Sequence, residues 1–205
     1  MKADEFREML RVTTDQALLD VCLRADDVPY ICNDVTKWLA FRQEMVRGVD
    51  GLAEADIRVV GSARFGFSLK PRNHLRQFTE ESDIDVVVVS EVLFDWLWIA
   101  LLVAAYPRMA ANRGIGGWDV PGRAELFAGW LTPTAIHMDW KIIGQPGVPL
   151  SQFKMRWFDA LKLAARHSTR PHNDIQGRLY RTWRHAELYH LFSIAQLRRS
   201  LEKAP

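Results

Sequence analysis

The heptapeptide Asp-Ile-Asp-Val-Val-Val-Val, residues 83–89, restricts the possible folds more than any other stretch of the chain. Its β-branched run from Ile84 to Val89 is too continuous for a strand with one wet face, so it predicts a central strand covered on both sides. Successive side chains of a strand alternate, which puts Asp83 and Asp85 on one face and Ile84 and Val86 on the other. Two ionised carboxylates at that spacing repel each other unless they share a proton or a divalent cation. With oxygen ligands and no histidine or cysteine beside them, magnesium or manganese is the matching ion. Upstream, Ile57 to Val60 is a short apolar run that ends at Gly61-Ser62. A glycine turn there lets backbone N–H groups approach a phosphate oxygen, and Ser62 adds a hydroxyl. If the two strands are neighbours, the turn and the acidic pair share one edge of the sheet.

The remaining elements are read from periodicity and caps. Val35, Trp38, Leu39, Met45, Val46 and Val49 recur at helical spacing behind Asp34, which predicts a helix over 34–48 with Asp34 as its N-cap. Residues 4–24 read as one or two further helices, with Thr14 an internal start. A buried helix is expected over 91–105, halted by Pro107, followed by a glycine-rich connection containing a short helix at "RAELFAGWL". Thr134 to Ile143 alternates as a strand that projects His137, Asp139 and Lys141 from one face. Phe153, Trp157 and Leu161 mark another helix, and 176–203 is read as a last long one. The domain reading is a core over 1–148, including the N-terminal helices, and a helical region over 149–205 packed on it.

A buried strand ending in Gly61-Ser62, a following strand with Asp83-Ile84-Asp85 and a later Met138-Asp139-Trp140 resemble, in that order, the nucleotidyltransferase fold of the DNA polymerase beta superfamily. The resemblance covers roughly residues 34–143 and implies an α/β fold of the α+β type, a small mixed sheet with flanking helices. The family's usual gap between turn and first aspartate is about half of the one here, so "FGFSLKPRNHLRQF" is read as an insertion, which a surface loop absorbs cheaply. The family's mechanism implies that Asp83, Asp85 and Asp139 hold Mg2+ or Mn2+ against a nucleoside triphosphate, and that a hydroxyl acceptor attacks its α-phosphate with loss of pyrophosphate. RNA, a protein side chain or a small molecule all stay open as acceptor, as do toxin and phage-defence settings. Asp119 is the substitute if the strand carrying Asp139 is misplaced.

Gly61, Ser62, Arg64, Lys70, Arg178 and Arg181 are the candidate phosphate-binding residues. Arg64 and Lys70 lie in the basic loop with Arg72, His74 and Arg76, and Arg178, Arg181 and His185 fall on one helical stripe. Tyr180, Trp183 and Tyr189 are either base-stacking residues or core. Residues 1–60 carry eight Lys/Arg against twelve Asp/Glu and residues 151–205 eleven against four. A basic C-terminal third also suits an RNA-binding adaptor, or a catalytically silent nucleotide- or RNA-binding module on the same fold. Cys22 and Cys32 stand apart from any zinc or redox spacing, which predicts a reduced, cytoplasmic setting. No membrane partner is expected, because "WLWIALLVAAY" is too short to span a bilayer; a protein partner stays open.

Overall fold

The computed structural model describes residues 1–70, 75–110, 120–136, 149–171 and 173–202. The valine run forms strand β2 (Ile84–Val89), paired antiparallel with β1 (Ile57–Val60) and parallel with β4 (Ile175–Tyr180). A two-residue strand, β3 (Trp130–Leu131), closes the far side of β4, so the sheet is mixed and ordered β1-β2-β4-β3. The central position of β2 follows from its composition, since only a strand paired on both edges and covered on both faces hides so many β-branched side chains. Among the described residues the helices are α1 (Ala3–Val12), α2 (Asp15–Leu19), α3 (Val35–Gly48), α4 (Gly61–Phe65), α5 (Glu91–Ala110), α6 (Val120–Phe127), α7 (Leu150–Ala165) and α8 (Trp183–Glu202). The fold is mixed α/β, and none of these helices is long and apolar enough to cross a membrane.

The period-two pattern of the strands sorts the molecule into two layers. Ile84, Val86 and Val88 join Ile57, Val59 and Leu179 in one core, together with Trp38, Phe41 and Met45 of α3, Leu93 and Leu97 of α5, and Trp157 and Leu161 of α7. Val60, Val87, Val89 and Tyr180 belong to a second core on the opposite face, with Phe6 and Leu10 of α1, Leu18 and Leu19 of α2, and Ile194 and Leu197 of α8. Each large side chain fully buried in these layers stabilises the fold by roughly 1.5–3 kcal/mol. Caps fix where the helices begin. The Asp34 carboxylate accepts from the Lys37 N–H at 2.9 Å, and the Thr14 hydroxyl accepts from the Ala17 N–H at 3.2 Å.

Three elements differ from the sequence expectation. Residues 175–180 are a strand and not the first turns of the last helix: a Cβ on Gly177 would stand 2.8 Å from the Trp157 ring, and Leu179 and Tyr180 bury themselves on opposite faces. Only extended backbone places consecutive residues that way. Since β4 pairs with β2, a boundary at 148/149 would cut through the sheet, and the C-terminal region is part of the core rather than a helical addition. Helix α5 continues through Pro107 to Ala110; its packing upstream through Phe94, Leu97 and Leu101 holds the helix while the proline removes one hydrogen bond near the end. Finally, Pro133–Ala135 form a 3-10 turn where the strand over 134–143 was expected to start, Pro133 fixing a helical φ. Residues 137–143 of that reading, Asp139 and His137 among them, lie outside the described residues, as does Asp119.

Candidate functional site

Between the α1/α2/α8 face of the sheet and helix α8 lies a cavity of about 440 Å3. Ile84 points into the closed layer, whereas Asp83 and Asp85, on either side of it, line the cavity. Val60 pairs with Asp85, so β1 delivers the chain to the bend immediately beside that carboxylate. Gly61 adopts φ +63°, and a Cβ there would stand 3.5 Å from Asp85 Oδ2. The left-handed backbone favours glycine, which brings the Gly61-Ser62 bend against the acid.

The polar lining comes from alternate positions of neighbouring strands. Asp85 is in register with Gln176, Val87 with Arg178 and Val89 with Tyr180, and Gln176, Arg178 and Tyr180 all line the cavity. The Arg178 guanidinium is held between two rings, 4.4 Å from the centroid of Trp130 and 4.5 Å from that of Tyr189. It donates to the Tyr180 hydroxyl at 3.4 Å, while its Nε is buried without a partner among the described residues. Cation–π contact on both sides orients this side chain while leaving donors for a ligand.

Burial pushes the Asp85 carboxyl above its ordinary range; Lys70 counteracts this, Asp83 adds to it, and Arg178 again counteracts it. Such a carboxylate gains from a nearby cation. Burial likewise raises the Tyr180 phenol, and burial followed by the Arg178 charge pushes the His190 imidazole down to about 4. His190 is therefore neutral near pH 7, with its Nε2 buried and lacking a hydrogen-bond partner among the described residues. Helix α8 supplies it to the cavity, along with Tyr189, Ser193 and Gln196.

Of the residues singled out by sequence, Gly61, Ser62, Lys70, Asp83, Asp85 and Arg178 line this one cavity. Two do not. Arg64 is buried beneath α4, where its Nε donates to the Val21 carbonyl at 3.0 Å and its terminal nitrogen pairs with Asp27; it fastens α4 to the N-terminal segment. Arg181 turns to α5, with ion pairs at 2.9 Å to Asp95 and 3.3 Å to Glu91. Neither guanidinium is left for phosphate. Asp139 lies outside the described residues, and no cluster of three His, Cys, Asp or Glu able to hold a metal is found among the described residues. Asp83 and Asp85, with the Gln176 amide and the Ser62 hydroxyl in the same cavity, form an oxygen-only donor set that fits a hard divalent cation.

Sequence reading missed Gln176, His190, Ser193 and Gln196, because it placed all four on one continuous helix. Gly177, unfavourable within a helix, and Thr182 immediately before Trp183 were the available signals for a strand followed by a new helix.

Part of the positive surplus of the C-terminal third meets acids of the N-terminal third within the molecule: Arg198 pairs with Asp15 at 2.8 Å and Arg156 with Asp50 at 3.0 Å. In the opposite sense, Glu187 on α8 accepts from Arg24 at 2.6 Å. No protein-family model, curated protein or solved structure matches the chain.

Proposed function

We propose that the cavity binds a nucleoside triphosphate with a divalent cation, and that the protein moves the nucleoside monophosphate to a hydroxyl acceptor. The observation that supports this is the meeting of the Asp83/Asp85 pair with the Gly61-Ser62 bend in a cavity that also holds Lys70 and Arg178. Acids that hold a cation and bases that hold phosphate are both required for a metal triphosphate, and separately neither group would explain the other.

In this reading Asp83 and Asp85 would hold Mg2+ or Mn2+, which would supply charge neutralisation at the phosphates. Lys70 and Arg178 bind phosphate oxygens, Arg178 as an oriented fork and Lys70 as a point charge. Gly61 allows the backbone near the phosphates, and Ser62 offers them a hydroxyl. The acceptor oxygen forms a bond to the α-phosphorus while the bond from that phosphorus to the bridging oxygen breaks, and pyrophosphate leaves. By the family resemblance Asp139 is the proposed site of acceptor activation and the third holder of the metal. Arg64 and Arg181 have no part.

One observation favours a second reading, a nucleotide-binding module without turnover. Gln176, not a carboxylate, is in register with Asp85 on the adjacent strand, so among the described residues the sheet offers the cation two charges rather than three. Incubation with each α-labelled nucleoside triphosphate, magnesium or manganese and a cell extract separates the two readings. Labelled product and pyrophosphate that vanish in Asp85→Ala support transfer. Tight metal-dependent nucleotide binding without either product supports the silent module, and the absence of nucleotide binding ends both.

A further inference from the structure

We propose that the α8 wall of the cavity is a nucleobase-reading subsite in which His190 selects the base and Gln196 assists at the rim. The proposal rests on the nucleotide reading above and names which end of the ligand goes where.

The cavity is chemically divided. Among the described residues its charged lining, Lys70, Asp83, Asp85 and Arg178, comes from the sheet or the loop before it. Helix α8 contributes Tyr189, His190, Ser193, Ile194, Gln196 and Leu197. These are neutral side chains: an aromatic ring, apolar surface, and polar groups that both donate and accept. A triphosphate gains little against such a wall. A nucleobase has apolar faces and an edge of donors and acceptors, which is the complement of that wall. A cavity of about 440 Å3 is within the range that encloses a ligand of nucleotide size.

His190 carries the selectivity because its Nε2 is the wall's buried polar atom with no partner among the described residues. The ring is fixed at its sides, with Tyr189 edge-on at 5.4 Å and Tyr180 at 6.4 Å between centroids. Burial and Arg178 keep it uncharged, so the ring that lines the cavity carries a nitrogen that is a donor or an acceptor according to tautomer but not a cation. A base edge that matches it gains a hydrogen bond, whereas one that does not leaves a buried polar atom unpaired. That difference corresponds to a preference of about tenfold. A base edge read by Nε2 also accounts for a histidine on a helix face that otherwise packs against rings.

The test is equilibrium titration of the full chain, with Mg2+, against the triphosphates of adenosine, guanosine, cytidine and uridine and against inorganic tripolyphosphate. The expected result is a preference of about tenfold for one base over at least one other, reduced to within about threefold in His190→Phe and largely kept in His190→Gln, with tripolyphosphate affinity unchanged. Gln196 is exposed, so Gln196→Ala provides a second variant should His190→Phe not fold; it should reduce the preference by about threefold. Equal affinity for all four bases in the parent chain, or a preference that survives these substitutions, overturns the base-reading subsite while nucleotide binding stands. Failure of the parent chain to bind any of the five ligands overturns the nucleotide reading and this inference with it.

Discussion

The two faces of the sheet follow opposite rules although the same strands make both. On the closed face Ile84, Val86, Val88 and Leu179 meet α3, α5 and α7 in a continuous apolar layer. The other face carries Asp85, Gln176, Arg178 and Tyr180 on alternate positions, and α8 crosses it with a cavity between. One residue step along β2 or β4 moves a side chain from one environment to the other. The closed face supplies stability, and that stability permits the other face to retain a buried carboxylate and an arginine whose Nε has no partner among the described residues.

The largest effect expected from this difference is on the closed face. Trp157 is fully buried against Gly177; Trp157→Ala should cost about 3–5 kcal/mol, seen as a melting temperature lower by roughly 10 °C. Metal–nucleotide affinity of the folded fraction should hardly change. Equal melting of variant and parent would mean that the layer is not the continuous core described here.

Asp85→Ala should do the reverse. Nucleotide transfer should fall by roughly a hundredfold or more, the scale for removing one charge-stabilising group from a site, without loss of stability. The pH dependence of Asp85→Asn sharpens this. Burial raises the folded Asp85 carboxyl above its ordinary value of 3.8, so in the metal-free protein its contribution to stability is fully present below that value and is lost as pH rises through the folded value. The asparagine variant should therefore melt higher than the parent near pH 7 in EDTA, with a gain that shrinks as the pH falls toward 3.8. A variant less stable than the parent at both ends would show that Asp85 is a structural residue.

Gln176 provides an intermediate effect. Gln176→Glu adds a carboxylate in register with Asp85, and should tighten divalent-cation binding about tenfold while destabilising the metal-free chain. Thermal shift with increasing manganese reads both changes at once. If the ion does not discriminate between the variant and the parent, it is not held at the strand pair.

How much of this was legible depended on whether a residue's signal was local. Asp34 and Thr14 declare their helices through their own side chains, and Ile84 to Val89 declare a central strand by β-branching alone. The neighbouring positions of Gly61 and Asp85 were legible only on the condition that the two strands pair, which β1 and β2 do. Strand β4 was not legible in the same way. Gln176, Gly177, Arg178, Leu179 and Tyr180 do alternate, with Gly177 and Leu179 toward the closed layer and Gln176, Arg178 and Tyr180 toward the cavity, but the run is short and leads directly into helix α8, so it was read as the start of that helix. Arg64 misled for a related reason: a guanidinium among loop residues looks free for phosphate until tertiary packing shows it bound to the Val21 carbonyl and Asp27.

Arg178 and Arg181 give the smallest effect and the most direct comparison of the faces. Three residues apart, they would share one stripe of a helix, but β4 places Arg178 between Trp130 and Tyr189 in the cavity, and Arg181, just past the strand, turns to Asp95 and Glu91 of α5. Arg178→Ala should weaken metal–nucleotide binding about tenfold, the order of one charge-assisted contact. Arg181→Ala should change it by less than about twofold and leave the melting temperature nearly unchanged, since an ion pair this open to solvent is screened. Equal losses of nucleotide affinity in the two variants would place both guanidinium groups on one ligand, and would remove the alternation on which the separation of a closed face from a binding face depends.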